Sequence, residues 1–457
     1  MTRRDIRLIR SPISVAGMVL TTLSAVLFLI VFFADLFGLH SNPYIGLVFF
    51  VLLPGVFVLG LVLIPLGAWI ERRRRLAGKP PTELSWPRID LNDASQRRTA
   101  VAIFALTMVN IVIVSLGAYR GVEYMDSVQF CSSTCHTVMK PEGVAHQNGP
   151  HARVACAQCH VGSGATSFVR AKMAGTRQLI ALARGTYPKP IGTPVRNMMP
   201  ARDTCEQCHW PEKVHGDKTR RIVEYADDEK NTESVTTLQV HIGGGSKQLG
   251  IASGIHWHMN VANEIEFVAT DDKRQVIPYV RLKDRAGNIR EYVADGVTPE
   301  QLAKGERRRM DCIDCHNRPA HTMAVTAERT VNAAMARGEI SPALPFIHRE
   351  AVKALKGSYP DQASGVDAIA TSLRAFYGNK TSASDASRAR DIDNAVAATA
   401  RIYQGNVFPE MRVGFGTYPN NIGHIDSPGC FRCHDDNHKS KDGKAISQDC
   451  ETCHKIE

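Results

Sequence analysis

Residues 131–160 read CSSTCHTVMKPEGVAHQNGPHARVACAQCH, and this stretch begins and ends with a group of two cysteines and a histidine. The second group, Cys156–His160, has two residues between its cysteines, and CEQCH, CIDCH, CFRCH and CETCH repeat that spacing further along the chain. The six groups contain all 12 cysteines of the 457-residue chain. The pattern therefore predicts one kind of cofactor site, repeated along the chain, that organises the fold.

The spacing Cys-x-x-Cys-His is the attachment signature of c-type haem. Two such thiols form thioethers with one porphyrin, and the following histidine becomes an axial iron ligand. Zinc fits poorly, because a tetrahedral site cannot readily take adjacent Cys and His ligands, and disulfides would not explain the histidine. The regular groups predict attachment at Cys156, Cys159, Cys205, Cys208, Cys312, Cys315, Cys430, Cys433, Cys450 and Cys453, with iron ligation by His160, His209, His316, His434 and His454.

The first group, Cys131, Cys135 and His136, has three residues between its cysteines. One extra residue can loop out while both thiols still reach the porphyrin, and His136 keeps its place directly after Cys135. We therefore predict a sixth haem c here. The alternative is a redox-active or free pair of thiols.

A haem that passes electrons needs a second axial ligand, and bis-histidine ligation gives the low potential that suits this role. Met139 is an alternative ligand for the first haem, and the other interpretation is a packing methionine. His256 and His258 alternate, so on a strand both would face one side. The predicted distal ligands are His151, His256, His258, His321, His424 and His438, with His215 close behind, while His146, His241 and His348 are predicted to be structural.

Three apolar runs without Asp, Glu, Lys or Arg precede the first group, at Ser11–Ala34, Ser41–Ile70 and Thr99–Tyr119. Each reaches the roughly 20 residues that a helix needs to span a bilayer. The basic start of the first run is also compatible with a secretory or twin-arginine signal. We favour a retained helix, because the run is longer than a typical signal and no clear cleavage site follows. The sequence predicts three transmembrane helices.

The distribution of basic residues predicts the orientation of these helices. The segment before the first run has four arginines, residues 71–98 hold eight lysines and arginines, and the short loop at His40–Tyr44 has none. Basic loops stay in the cytoplasm, so the N-terminus is predicted to be cytoplasmic and residues 120–457 periplasmic, at a bacterial inner membrane. The formal net charge of +10 is then a topology signal and a counterweight to haem propionates, and it does not indicate nucleic-acid binding.

The predicted fold is mainly α, with a membrane anchor, a multihaem domain with little regular structure, and a small inserted antiparallel sheet. Period-two patterns between residues 219 and 295 predict the strands, with a turn at Asp284–Asn288, and Thr298–Gln301 predicts a helix start. Residues 381–400 read as either a helix or a linker. The predicted regions are the anchor 1–119, haems 1–3 in 120–218, the β-rich insertion 219–297, and haems 4–6 in 298–457, where helices are predicted at 322–337, 346–356, 364–377 and 385–404.

The stretch from the last anchor helix to about Trp210, with the 131–160 segment, SFVRAKMAGTRQ and CEQCHWPEKVH, resembles the NapC/NirT family of membrane-anchored multihaem quinol dehydrogenases. GCFRCHDDNH and QDCETCH are similar to its longer members. The short members have one anchor helix and four haems, so this chain departs from them in both respects. The resemblance places Met139 beside the quinol pocket and Lys172 near the pocket lysine, and Asp126, at the membrane boundary, is a candidate proton acceptor.

The resemblance implies oxidation of menaquinol or ubiquinol from the membrane quinone pool at the periplasmic face. Electrons would then pass to periplasmic or outer-membrane cytochromes or to a reductase subunit. The same sequence features are also compatible with two other functions. One is an electron-carrying subunit of a larger respiratory complex without its own quinone site. The other is a terminal reductase with an open haem, which the supply of spare histidines disfavours.

Overall fold

The computed structural model describes most of the chain. The described residues are 11–36, 53–78, 80, 90–134, 136–161, 165–195, 200–210, 216–243, 254–259, 263–284, 286–378 and 386–457. The chain divides into two compact units, one of residues Met1–Met125 with Ala157–Gly185, the other of Asp126–Cys156 with Thr186–Glu457. The fold is mainly helical with antiparallel sheets.

Long helices dominate the first unit, and each predicted apolar run contributes to one of them. Within the described residues, Gly55–Arg74 is long and apolar enough to cross a membrane, and Pro12–Leu27 is a shorter apolar segment. Residues 41–52 lie outside the described residues. Three membrane spans therefore stay a prediction. The helices are Pro12–Leu36, Leu53–Leu76, Ala94–Asp126 and Ala165–Arg184.

The first two helices approach each other through small residues. Thr21 Oγ1 donates a hydrogen bond to the carbonyl of Gly17, and a side chain on Gly60 would place its Cβ only 2.8 Å from that same carbonyl oxygen. Ser14 Oγ donates to the carbonyl of Ile64, 2.9 Å away on the other helix. Small residues that permit close backbone packing are the usual basis of helix association in membranes.

We expect Gly60→Ala to lower the free energy of unfolding of the anchor by about 1–3 kcal/mol, because the added methyl group overlaps Thr21 and the Gly17 carbonyl. Titration with SDS in mixed micelles measures this loss. Gly55 is the matched control, because it lies on the same helix and its Cβ would meet nothing within 4 Å. Gly55→Ala should be neutral or slightly stabilising. Equal effects of the two substitutions would contradict the observed packing.

Helices also form the core of the second unit, after residue 326. Ile340, Tyr377 and Tyr403 are fully buried there. The segment 381–400, which the sequence left open, lies in a helix from residue 386 onwards. The helices of this unit are His136–Gln147, Ala201–Cys205, Pro299–Lys304, Cys312–Cys315, Ala327–Ala336, Ile347–Leu355, Gln362–Gly378 and Ala386–Asn406, and Cys156–His160 joins the two units in sequence.

The prediction of one small sheet within residues 219–297 is wrong, because the described residues form two sheets and both recruit strands from the C-terminal region. Local alternation predicts a strand but not the distant segment that pairs with its edge. The first sheet has the order Lys218–Tyr225, Glu233–Val240, His454–Ile456, and the second has the order Glu306–Arg309, Glu264–Ala269, Tyr279–Lys283, Ile289–Ala294, His438–Lys439.

Two local predictions in this region are confirmed. The backbone N–H of Asn288 donates to Asp284 Oδ1 in the turn between two strands. Thr298 and Gln301 form a reciprocal capping box at the start of Pro299–Lys304. Both features depend on residues only a few positions apart, so the sequence contains all the information that they need.

Candidate functional site

The cysteine–histidine groups adopt tight turns that bring their reactive side chains together. The backbone N–H of the group histidine donates to the carbonyl of the first cysteine at 2.8 Å for His209 and Cys205 and for His316 and Cys312. In a helical turn, positions i, i+3 and i+4 share one face. Two thiols and an imidazole on one face are what attachment to a single porphyrin requires.

Within the described residues, four group histidines lie opposite a second histidine. Two imidazoles on the two sides of one metal ion, with metal–nitrogen bonds of about 2 Å, have ring centroids roughly 6 Å apart. The observed centroid separations are 6.0 Å for His151 and His209, 6.5 Å for His256 and His316, 5.8 Å for His258 and His434, and 6.1 Å for His424 and His454. These pairs fit bis-histidine ligation of haem iron.

Hydrogen bonds to the backbone fix the tautomer of several of these imidazoles. Each Nδ1 lies close to a backbone carbonyl oxygen. The distance is 3.1 Å from His151 to Pro319, 2.7 Å from His258 to Ile255, and 2.8 Å from His434 to Ser447. A carbonyl oxygen can only accept, so each Nδ1 carries the proton and Nε2 keeps its lone pair for a metal ion. Such supporting hydrogen bonds are typical of metal-binding histidines.

His256 and His258 differ from the sequence prediction that both would face one side of a strand. They lie in a single turn of 3₁₀ helix, Ile255–Met259. With three residues per turn, side chains two positions apart point about 120° away from each other around the helix axis, so the two side chains reach different partners, His316 and His434. Burial lowers the pKa of both His256 and His258, which keeps them neutral and able to bind a metal ion.

The last four cysteine–histidine groups follow one another in space as they do in sequence. The thiols of Cys205 and Cys312 share a hydrogen bond, which lowers the pKa of Cys205. Burial raises the pKa of Cys433 to about 12, and the nearby charge of Cys315 contributes in the same direction. Burial also raises the pKa of Cys453, with a contribution from Cys430. Groups three to six therefore form a continuous series.

Backbone and side-chain hydrogen bonds connect these groups as well. Arg432, between the cysteines of the fifth group, donates from Nη2 to the carbonyl of Asp314, between the cysteines of the fourth, at 2.7 Å. The carboxylate of Asp311, which precedes the fourth group, accepts from the backbone N–H groups of Ala201 and Arg202, just before the third group. The sites are thus held in a fixed order by the protein itself.

A fifth imidazole pair, which the sequence did not predict, joins two histidines outside the six groups. The rings of His146 and His321 have centroids 6.0 Å apart. His146 Nε2 lies 3.0 Å from the Val154 carbonyl, and its buried Nδ1 makes no hydrogen bond within the described residues. His321 Nδ1 lies 3.1 Å from the Glu142 carbonyl. The sequence predicts a structural role for His146, but its burial and its Nδ1, which makes no hydrogen bond within the described residues, make it a candidate ligand. Neither feature can be read from a sequence.

His438 corrects the predicted set of distal ligands. Its Nε2 lies 2.6 Å from the Ile277 carbonyl and its Nδ1 lies 2.7 Å from Asp435 Oδ1, so neither nitrogen is available to a metal ion. His241 Nδ1 lies 2.9 Å from Asp217 and His348 Nδ1 lies 2.7 Å from Asp227. A carboxylate at Nδ1 can support a structural or a metal-binding histidine, so the structural role of these two stays a prediction. His215 lies outside the described residues.

The predicted first haem group and quinol site lie partly outside the described residues. Cys135 lies outside the described residues, as do the side chains of His136 and Lys172, although Lys172 belongs to the helix Ala165–Arg184. Asp126 ends the long third helix, and Met139 is half-buried on the helix His136–Gln147. Among the residues that the structure describes, no three His, Cys, Asp or Glu side chains converge on a metal site.

The fold and the paired histidines define a class of protein, the multihaem c-type cytochromes. The model of the NapC/NirT cytochrome c family, N-terminal region, matches residues 93–190. The chain is 41% identical over 448 residues to the cytochrome c-type protein ImcH of Geobacter sulfurreducens, which covers 98% of this chain and 88% of that protein. No solved structure matches the chain. The chain belongs to the NapC/NirT cytochrome c family, whose members are membrane-anchored electron-transfer proteins with covalently bound haem c.

Proposed function

We propose that this chain is a hexahaem cytochrome that oxidises menaquinol or ubiquinol at the periplasmic face of a bacterial inner membrane. It passes the electrons to a periplasmic or outer-membrane acceptor, including one that exports electrons from the cell. The observation that carries the proposal is the set of four group histidines, each about 6 Å from a second histidine. Two strong ligands would saturate the iron at each of these four sites, and this suits electron transfer better than substrate binding.

The proposed ligand assignment follows these pairs. Attachment uses Cys131, Cys135 and the ten cysteines of the regular groups, and the group histidines are the proximal ligands. His151 serves the third haem, His256 the fourth, His258 the fifth and His424 the sixth. His321 stays a proposed distal ligand, and His146 joins it as a candidate because its buried Nδ1 makes no hydrogen bond within the described residues. Met139 stays the proposed ligand of the first haem.

The direction of electron flow in this proposal follows the order of the groups. The first group begins five residues after the end of the third helix at Asp126, so it is tethered nearest the membrane. The last four groups are consecutive in space, and the sixth lies near the C-terminus. Bound haem c supplies a one-electron iron couple at each position. Electrons would enter at the first group and leave from the sixth.

Quinol oxidation releases two electrons and two protons, so the site also needs a base. We propose that Asp126 and Lys172 line the quinol site, with Asp126 accepting a proton from the quinol hydroxyl. The position of Asp126 at the end of the third helix supports this role, and family membership supports a quinol site only in general. The proposal includes three transmembrane helices in residues 1–119, a cytoplasmic N-terminus, and periplasmic regions at 120–218, 219–297 and 298–457.

The decisive experiment adds a menaquinol analogue to the oxidised, detergent-purified protein and follows the haem absorption bands. We expect six covalent haems per chain and reduction within seconds, abolished by a quinone-site inhibitor and slowed by Asp126→Asn. If dithionite reduces every haem but the quinol reduces none, the chain does not oxidise quinol itself. Quinone chemistry would then belong to a partner subunit, and this chain would be an electron-carrying subunit.

A further inference from the structure

The helix Ala165–Arg184, between the second and third haem groups, exposes apolar side chains that a helix in water would normally bury. Met173 is 56% exposed, Leu179 58% and Ile180 48%. Met173 and Ile180 are seven residues apart, which places them on one face of the helix, two turns from each other. An exposed apolar stripe of this kind marks a surface that another apolar phase covers.

Arginines border this stripe. Arg170, Arg177 and Arg184 are exposed and recur at intervals of seven residues along the same helix. A row of arginines beside a row of apolar side chains is the arrangement of helices that lie in a membrane surface. Arginine stems can extend along apolar surface while the guanidinium groups reach the lipid phosphates.

The position of the helix in the chain agrees with a lipid environment. Residues 157–185 cluster with residues 1–125 in one compact unit, whereas the chain on both sides of them belongs to the other unit. Residues 1–125 contain the candidate membrane span Gly55–Arg74. The helix thus belongs to the part of the protein that carries the anchor, although it is too polar to cross the bilayer.

We propose that Ala165–Arg184 lies in the surface of the bilayer, with Met173, Leu179 and Ile180 among the acyl chains and Arg170, Arg177 and Arg184 at the phosphates of anionic lipids. The ligand is the lipid surface itself. This inference rests on membrane anchoring and is independent of quinol oxidation.

Photo-crosslinking in nanodiscs of phosphatidylethanolamine and phosphatidylglycerol tests the depth of the helix. The full-length haem-loaded protein carries p-benzoylphenylalanine at Ile180 or, as the control, at Ile289, which is 55% exposed on a strand of the other unit. Mass spectrometry of the digested protein should find at least about tenfold more lipid adducts at position 180. Equal yields at the two positions, or adducts only with protein, would overturn the proposal.

Lipid retention tests the arginines separately. Native mass spectrometry should show that Arg177→Gln and Arg184→Gln each weaken the binding of phosphatidylglycerol roughly fivefold, while binding of phosphatidylethanolamine changes little. Arg390→Gln, at an exposed arginine of the other unit, is the control and should change neither. Unchanged haem absorption spectra verify that each variant is folded. Loss of both lipids to the same extent would show that the arginines do not recognise anionic headgroups.

Discussion

His258→Ala is expected to change the fifth haem from a low-spin, six-coordinate centre to a high-spin, five-coordinate one. His258 faces His434 at a centroid separation of 5.8 Å, and its Nδ1 is fixed by the Ile255 carbonyl. Because axial ligands set haem potentials over a wide range, the potential of this haem should change by on the order of 100 mV. Low-temperature EPR and a potentiometric titration measure the two effects.

The same variant, His258→Ala, should slow electron transfer along the series of haems. The fifth group lies between the fourth and the sixth, so a changed potential at this position should slow electron transfer to the sixth haem by at least about tenfold. Stopped-flow reduction would then show the earlier haems reduced quickly and the sixth slowly. A variant in which all haems are still reduced at one common rate would contradict the proposed order.

His438→Ala is the matched control, because His438 is a buried histidine four residues after His434. Both of its nitrogens are occupied, one by the Ile277 carbonyl and the other by Asp435. The substitution should destabilise the protein by about 1–3 kcal/mol, since it leaves polar groups without partners, and it should leave every haem low-spin. A high-spin signal in this variant, and none in His258→Ala, would show that the pairing is assigned to the wrong histidine.

The sequence predicted the positions of haem attachment but not the pairing of the histidines across the iron. The spacing of cysteines and histidine is local, so it can be read from five adjacent residues. The pairing of His258 with His434 depends on segments 176 positions apart, which only the tertiary fold brings together. For the same reason, the sequence predicted both His424 and His454 as ligands but not that these two would face each other.

Two errors have a common physical origin. His256 and His258 were expected to face one side if they lay on a strand, because alternation is ambiguous in a short segment, and the turn of 3₁₀ helix at Ile255–Met259 separates them. The strand His454–Ile456 was missed because three residues after an attachment group show no periodicity. Its pairing partner, Glu233–Val240, makes it a strand. In both cases contacts distant in sequence decide the local conformation.

Asp311→Ala is expected to lower the free energy of unfolding of the haem domain by about 3 kcal/mol. One carboxylate oxygen of Asp311 lies 2.7 Å from the backbone nitrogen of Ala201, and the other lies 3.1 Å from that of Arg202 and 2.7 Å from that of Cys312. Alanine would leave these three partly buried N–H groups without this acceptor, and each hydrogen bond to a charged group contributes about 1.5–3 kcal/mol before compensation by water.

The carboxylate also links two cysteine–histidine groups. Ala201 begins the short helix that ends at Cys205, and Cys312 begins the fourth group, so Asp311 ties the third attachment site to the fourth. Asp311→Asn keeps one acceptor oxygen and should lose about half as much stability. Guanidinium denaturation followed by far-UV circular dichroism measures the loss, and stopped-flow reduction should show slower electron transfer from the third haem to the fourth.

Asp284→Ala is the control for Asp311→Ala, because Asp284 also accepts a backbone hydrogen bond, from Asn288, but in an exposed hairpin turn. Water can replace its contacts, so this variant should lose no more than about 1 kcal/mol and should leave electron transfer unchanged. Equal losses in the two variants would mean that Asp311 acts only as a local cap. A large loss in Asp311→Ala alone would show that one carboxylate maintains the spacing on which transfer between neighbouring haems depends.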